Sequence, residues 1–231
     1  MKQIALSDLL EAGVHFGHQT NKWNPKMLPY IYAEKNGTHI INGIESAKLL
    51  AKACNFVKEA SQKGKKFLFI GTKRQATNIV ASEAEKCGAY FINQRWLGGT
   101  LTNWPIIKSR VEALKRLEKN SIGPSLDKVS KKEITAHKKN LEKLNKNLKG
   151  IKNMKQLPDL AIIIDQQKEI TAVKECIKMK IPVICLLDTN CDPSLADIPI
   201  PANDDSAKSI KLILEKLSES IVEGKNSYAK K

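Results

Sequence analysis

The chain has 231 residues, of which 42% are apolar, so it can bury a core without disulfides or a structural metal. Its 39 lysines and arginines outnumber 24 acidic residues, and the formal charge of +15 predicts a polyanion, such as RNA, DNA or an anionic membrane, as its partner. The sequence has no apolar run of membrane-spanning length and no hydrophobic secretory segment at its start, which excludes membrane-spanning proteins and favours a protein made where it works.

The first 43 residues show neither a strand nor a helix period, and we expect an irregular N-terminal extension with a functional role. Asn36-Gly37 between apolar stretches predicts a β-hairpin turn. The run Lys-Trp-Asn-Pro-Lys at 22–26 combines cations, an aromatic ring and an amide, which RNA interfaces use for phosphate contacts and base stacking. The alternative is a core tryptophan packed under a loop. The candidate RNA-binding residues here are Lys22, Trp23, Asn24 and Lys26.

Short apolar runs rich in β-branched residues alternate with helical periodicity in the rest of the chain, which is typical of parallel strands joined by crossover helices. The fold class is therefore predicted as α/β, with a doubly wound parallel sheet and right-handed crossovers. Strands are predicted at Phe67–Gly71, Ala89–Ile92, Leu160–Ile164, Val183–Leu187 and Ile198–Pro201. Helices are predicted at Glu45–Gln62, Lys73–Cys87, Gln166–Met179 and Ser206–Val222, with Gly224 ending the last one.

The turn after the first predicted parallel strand, Gly-Thr-Lys-Arg at 71–74, places a hydroxyl and two cations near a helix N-terminus, where phosphate binds well. A nucleotide enzyme would use such a turn, but the Walker and Gly-x-Gly-x-x-Gly spacings are both absent. We therefore favour an RNA phosphate at this helix N-terminus, or no ligand there, over a small-molecule substrate. Lys73 and Arg74 therefore join the RNA-binding candidates.

The loop at 93–104 again mixes a cation, aromatic rings, amides and glycines, as an RNA-binding loop requires. Arg95 and Trp96 are its candidate contacts. The alternative is that Trp96 or Trp104 packs beneath the loop in the core.

A lysine-rich segment then interrupts the α/β alternation. Residues 105–155 hold 15 basic and 5 acidic side chains, a net charge of +10, which favours polyanion binding over a solvated helix face. Apolar residues recur at spacings of three and four in two stretches, which predicts an inserted α-helical coiled-coil hairpin at 105–154. Ser130 and Glu133 predict a capping box at the second helix, and His137 is expected to be a packed residue and not a metal ligand. Lys108 and Arg110 are candidate RNA contacts.

Carboxylates and amides follow the later strands, at the edge of a doubly wound sheet where enzymes place their sites. Asp188 with Asp204 or Asp205, joined by His18, would suit a divalent ion. Helix capping is the favoured alternative: Asn203 or Asp204 for the last helix, Asp165 for the helix after its strand, and Asx turns at Asp188 and Asp192. We therefore expect no metal, no cofactor and no catalytic residue.

The five cysteines are scattered, and none is spaced as Cys-x-x-Cys, which predicts a reducing compartment and argues against a zinc knuckle. Four of them lie within apolar patterns and are expected to be small buried hydrophobes. Those four are Cys54, Cys87, Cys176 and Cys185.

Long motifs in this sequence resemble the bacterial-type ribosomal protein S2 family over nearly the whole chain. The run 9–18, Leu-Leu-Glu-Ala-Gly-Val-His-Phe-Gly-His, is similar to the N-terminal signature of that family, as is 22–27. Arg-Trp-Leu-Gly-Gly at 95–99, Pro-Asp-Leu-Ala-Ile-Ile-Ile-Asp at 158–165, Asp-Thr-Asn-Cys-Asp-Pro at 188–193 and the run 198–205 match as well. Gln166-Gln167 departs from the family pattern, as does the segment 121–127; both are interpreted as surface changes.

The resemblance implies a flavodoxin-like sheet carrying a protruding coiled-coil hairpin, seated on small-subunit rRNA among other ribosomal proteins. It implies a structural constituent of the small ribosomal subunit, active in translation, and not an enzyme. A DNA-binding protein is disfavoured because no recognition helix is indicated. The frequent Lys, Ile and Asn residues suggest an AT-rich genome, so the expected location is a ribosome in the plastid (chloroplast) stroma or in the bacterial cytoplasm. The predicted domains are an α/β domain of residues 1–104 and 155–225, the hairpin 105–154 and a flexible basic tail 226–231.

Overall fold

A computed structural model describes residues 5–120 and 131–228 of the chain. The N-terminal segment holds helix α1 (Leu6–Glu11) and an antiparallel sheet of β1 (Phe16–Gln19), β2 (Ile31–Lys35) and β3 (Thr38–Ile41), in the order β1-β3-β2. The predicted hairpin turn is confirmed: Asn36 and Gly37 join β2 to β3 with φ angles of 54° and 72°. Apart from this hairpin, the segment was predicted to be irregular, yet it contains α1 and β1, elements too short to establish a period in the sequence.

The main sheet is parallel and contains five strands in the order β5-β4-β6-β7-β8, once the strands are numbered along the chain. This is the 2-1-3-4-5 order of flavodoxin-like folds, in which the strand order reverses between the first and third strands, here β4 and β6. All five predicted strands are confirmed, with ends that shift by one residue at most. They are β4 (Phe67–Ile70), β5 (Tyr90–Ile92), β6 (Leu160–Ile164), β7 (Val183–Leu187) and β8 (Ile198–Pro201).

Helices flank this sheet, but three of their predicted ends are wrong. Two helices begin about four residues later than predicted, because the chain first makes hydrogen-bonded turns after β4 and β6, in which the amide of Ala76 donates to the carbonyl of Lys73 and that of Glu169 to Asp165. The helices are α2 (Gly43–Gln62), α3 (Thr77–Cys87), α4 (Trp104–Asn120), α5 (Lys131–Leu148), α6 (Ile170–Lys178) and α7 (Ala207–Tyr228).

The third wrong end is that of α7, which continues through Gly224 instead of stopping there. A Cβ atom at Gly224 would lie 2.5 Å from the carbonyl oxygen of Lys58 and 2.7 Å from Cβ of Ser61, both in α2. The glycine is therefore required by close packing of two helices and not by helix termination.

The core consists of two layers, one on each face of the main sheet, as a doubly wound fold requires. Strand β4 shows the alternation: Phe67 and Phe69 pack with α2, α3 and α7, while Leu68 and Ile70 pack with α6 and the first turns of α4. All five cysteines are buried and unpaired, which confirms the prediction made for four of them; the fifth, Cys191, is buried as well.

Helices α4 and α5 pack against each other, and their apolar residues near the sheet, including Val111, Leu114 and Leu148, are buried in the second layer. The coiled-coil geometry of the insert stays a prediction. The segment 121–130 lies outside the described residues, and so do the side chains of the predicted capping box and of His137.

Candidate nucleic-acid interface

An ion-pair cluster lies at the carboxyl edge of the main sheet, where the strand order reverses. The Nζ atom of Lys73, in the turn after β4, lies 2.6 Å from a carboxylate oxygen of Asp204, 2.7 Å from Asp205 and 3.3 Å from Asp165. Burial alone would lower the pKa of Lys73, but the hydrogen bonds that its ammonium donates to Asp204 and Asp205 outweigh burial and raise it. Lys73 therefore stays charged and joins three segments that are distant in sequence.

His18 of β1 joins the same cluster from the N-terminal sheet. Its Nδ1 lies 2.9 Å from a carboxylate oxygen of buried Asp188, and this hydrogen bond raises the pKa of His18. Burial, together with the charges of Asp188 and Asp165, raises the pKa of Asp204 to about 7. Ligand atoms of His18, Asp188 and Asp204 all lie within 4.8 Å of one another, close enough to hold one divalent cation. The expectation that no metal is bound stays a prediction.

The capping alternative accounts for part of this edge. Asp192 makes the predicted Asx turn with the amide of Ser194. Asn203 or Asp204 was predicted to cap α7, but Asn203 accepts from the amides of Asp205 and Ser206 in the turn before that helix, and Ser206 binds the amide of Ser209 in its first turn. Asp165 was predicted to cap α6, but its carboxylate accepts from the amide of Lys168 in the turn before that helix. The φ angle of Asp165 is 63°, a left-handed conformation that Asp tolerates better than most residues.

The candidate run 22–26 lies against the same edge. The amide of Asn24 donates to the carbonyl of Thr189 (2.8 Å), and its side chain accepts from the amide of Lys26 (3.0 Å). Trp23 is half-buried, with its ring centroid 5.3 Å from that of His39. Lys22 is exposed, whereas the Nζ of Lys26 lies 2.6 Å from the carboxylate of Asp192.

The loop at 93–104 follows β5 and is held by one acidic residue of α6. Trp96 is half-buried, and its indole Nε1 donates to Glu175 (3.0 Å). This tryptophan therefore packs partly beneath the loop, as the alternative to RNA contact predicted. Arg95, next to it, is exposed. Arg74 in the turn after β4 is exposed as well, as are Lys108 and Arg110 on the first turns of α4.

The structure thus brings most candidates to one side of the molecule. Loops that follow neighbouring parallel strands emerge at the same sheet edge, which places Arg74, Arg95 and the 22–26 run at the carboxyl edge. Lys73 lies in the same region, but its side chain is only 14% exposed and already bound to carboxylates.

Three buried polar residues that support these loops were missed as functional residues. Glu175 holds the 96–102 loop, and Glu169 accepts from the amide and hydroxyl of Thr72. Gln166 was interpreted as a surface change but is 2% exposed; it exchanges hydrogen bonds with the backbone of Asp192 at 2.7 Å in both directions. The sequence could have indicated them, because each is a polar residue at a core-facing position or close to the end of a strand.

In the part of the chain that the structure describes, no helix combines the length and the apolar character needed to span a membrane. A doubly wound sheet with cationic loops at one edge and a lysine-rich helical pair defines an α/β protein of the polyanion-binding class.

Comparison with known proteins identifies the family. The model of the family described as Ribosomal protein S2 matches residues 9–224, and the chain belongs to that family, whose members are structural proteins and not enzymes. Among curated relatives, the small ribosomal subunit protein uS2c of Rhodomonas salina is 61% identical over 226 residues, covering 98% of this chain and 93% of the relative. The uS2c protein of Guillardia theta is 60% identical, covering 97% and 96%. The uS2 protein of Trichodesmium erythraeum (strain IMS101) is 56% identical, covering 98% and 83%.

Proposed function

We propose that this chain is a structural constituent of the small ribosomal subunit, where it binds small-subunit rRNA and neighbouring ribosomal proteins during translation. The observation that carries the proposal is the family match over residues 9–224, together with the position of the exposed cations along one edge of the sheet. The names of the algal relatives support a plastid ribosome as its location.

The rRNA-binding surface consists of the exposed cations at the carboxyl edge of the main sheet and on the first turns of α4. Guanidinium groups bind phosphate through two parallel hydrogen bonds, which suits Arg74, Arg95 and Arg110 to the RNA backbone. Lys22 and Lys108 add point charges. The partly exposed rings of Trp23 and Trp96 offer faces on which a base can stack.

Internal ion pairs make this edge suitable for RNA despite its aspartates. Lys73 contacts Asp165, Asp204 and Asp205, His18 contacts Asp188, and Lys26 contacts Asp192. Because these pairs offset carboxylate charge inside the protein, the cations that remain exposed can attract phosphate. Three of the predicted RNA contacts make bonds inside the protein: Lys73, Lys26 and Asn24. They support this surface through those bonds, and only their exposed atoms can contact RNA.

The proposal is tested by incorporation of the full chain into small ribosomal subunits from which it has been removed, measured by co-sedimentation over a range of KCl concentrations. Replacing both Lys108 and Arg110 by Ala should reduce the slope of log K against log[salt] by about 0.7 to 0.9 for each phosphate that the variant no longer binds. The matched control replaces Lys208 and Lys211, two exposed lysines of α7, by Ala. Failure of the unmodified chain to enter the subunit would overturn the proposal.

A further inference from the structure

Glu175, near the middle of α6, collects five hydrogen bonds from a single loop. Its Oε1 accepts from the indole Nε1 of Trp96 (3.0 Å) and from the amide of Gly99 (2.8 Å). Its Oε2 accepts from the amides of Leu101 (2.9 Å) and Thr102 (3.2 Å) and from the hydroxyl of Thr102 (3.2 Å). All five donors lie between residues 96 and 102, and both carboxylate oxygens are used.

This carboxylate is 8% exposed, yet among the described residues it forms no ion pair with a lysine, arginine or histidine. A buried charge without a cation is costly unless hydrogen bonds replace its hydration. Here the loop provides all of those hydrogen bonds, so the charge of Glu175 and the conformation of the loop depend on each other.

The loop has internal bonds as well, since the amide of Thr100 donates to the carbonyl of Leu97 and that of Asn103 to Gly99, and Leu101 is buried in the core. Glu175 adds the bonds that tie the loop to α6. The loop contains Gly98, which is exposed, and Gly99, whose φ angle of 85° lies in the left-handed region open mainly to glycine. Fixing backbone with such freedom costs conformational entropy, which the hydrogen bonds to a fixed partner help to offset. Glu175 sits on a regular helix and is such a partner.

We infer that Glu175 is a positioning residue for RNA binding: it holds the 96–102 loop in the conformation that presents Arg95 and the face of Trp96 to the rRNA. The inference rests on the proposed function. Glu175 lies under the loop and does not itself touch RNA. Glu175 thus pre-organises a contact surface, and pre-organisation lowers the conformational entropy that binding would otherwise cost.

The test compares the full-length chain with its Glu175→Gln variant in the same incorporation assay. The amide keeps the size of the side chain, but its NH₂ group cannot accept from the donors that Oε2 binds. We expect on the order of tenfold weaker binding, comparable to the removal of a hydrogen bond to a charged group. The salt slope should also fall by about 0.7 to 0.9, because Arg95 no longer reaches its phosphate.

The matched control is Glu83→Gln. Glu83 is also a buried glutamate in a helix (2% exposed), but it lies on α3, on the other face of the sheet, and accepts from the hydroxyl of Ser218. Both variants are measured where urea titration shows them fully folded. A purely structural role of Glu175 would leave the salt slope unchanged under those conditions.

A second variant, Trp96→Phe, removes one donor while keeping an aromatic ring, so it tests the inference even if Glu175→Gln fails to fold. Trp96→Phe should weaken RNA binding less than Glu175→Gln does. The double variant should bind no more weakly than Glu175→Gln alone, because both changes act on the same hydrogen bond. Wild-type affinity and slope in a folded Glu175→Gln variant, or in Trp96→Phe alone if the former does not fold, would overturn the inference. So would an equal loss in Glu83→Gln. If the unmodified chain itself does not bind, the proposed function fails and the inference falls with it.

Discussion

The Nζ atom of Lys73 lies 2.6 Å from Oδ1 of Asp204, although the two residues are 131 positions apart in the sequence. The pair joins the turn after β4 to the residues that precede α7. Asp204 is fully buried, and its second carboxylate oxygen, Oδ2, has no hydrogen-bond partner among the described residues. The fold at this edge therefore depends on the charge of Lys73.

Replacing Lys73 by Met should lower the free energy of unfolding by about 3 kcal/mol, because it leaves buried carboxylates without their cation. Urea denaturation followed by circular dichroism measures this change. Lys22→Met, at an exposed lysine outside the ion pairs, should stay within about 0.5 kcal/mol of the unmodified protein. Equal stability of the two variants would show that the cluster does not stabilise the fold.

The acid dependence of stability should separate two buried glutamates. Burial alone would raise the pKa of Glu175, but hydrogen bonds from Trp96 and the amides of Leu101, Gly99 and Thr102 outweigh burial and lower it below 4.5. A carboxylate with a lowered folded pKa stabilises the fold above the unfolded pKa and loses this contribution as pH falls through the folded pKa. The stability difference between the unmodified protein and Glu175→Gln should therefore shrink as pH falls below about 4.5.

Glu169 should show the opposite sign. Burial raises its pKa above 4.5 despite the hydrogen bonds from Thr72. Its contribution to stability is therefore largest below the unfolded pKa and is lost as pH rises through the folded pKa. The difference between the unmodified protein and Glu169→Gln should grow as pH falls, in urea titrations over the same pH range. Parallel curves for the two variants would contradict both assignments.

Gly224→Ala tests the close contact of α7 with α2. The added methyl would collide with the backbone of Lys58, and overpacking of this kind costs about 1 to 3 kcal/mol. Thermal or urea unfolding reports the loss. Gly98→Ala is the control, since a Cβ there would meet no heavy atom within 4 Å. A stabilised Gly224→Ala variant would favour the helix propensity of Ala over the packing constraint.

The thiols should be unreactive in the native protein. Burial raises the pKa of Cys87 to about 11 and those of Cys176 and Cys191 to about 12, and it raises those of Cys54 and Cys185 as well. The thiolate is the reactive form, so an aromatic disulfide reagent at pH 8 should modify the native chain slowly. In denaturant all five cysteines should react at once. Rapid reaction of one thiol under native conditions would show local opening around that residue.

Much of the fold could be predicted because it depends on local pattern. The strands of the main sheet are continuous apolar runs, buried on both faces, and all five were found within one residue. The turn at Asn36-Gly37 was found for the same reason: it is made by residues that are adjacent in sequence. The starts of α3 and α6 were missed because turn residues after a strand can continue a helical period without being helical.

The sequence by itself determined the alternation of strands and helices, the burial of the cysteines, the excess of cations and, through long motifs, the family. Only the tertiary structure decided what the polar residues do. It paired Lys73 with Asp204, gave Gly224 a place in a helix contact, and directed Glu175 to a loop 73 to 79 positions away. The physical reason is that a charge or a hydrogen-bonding group takes its role from partners brought together by folding, and no local pattern specifies those partners.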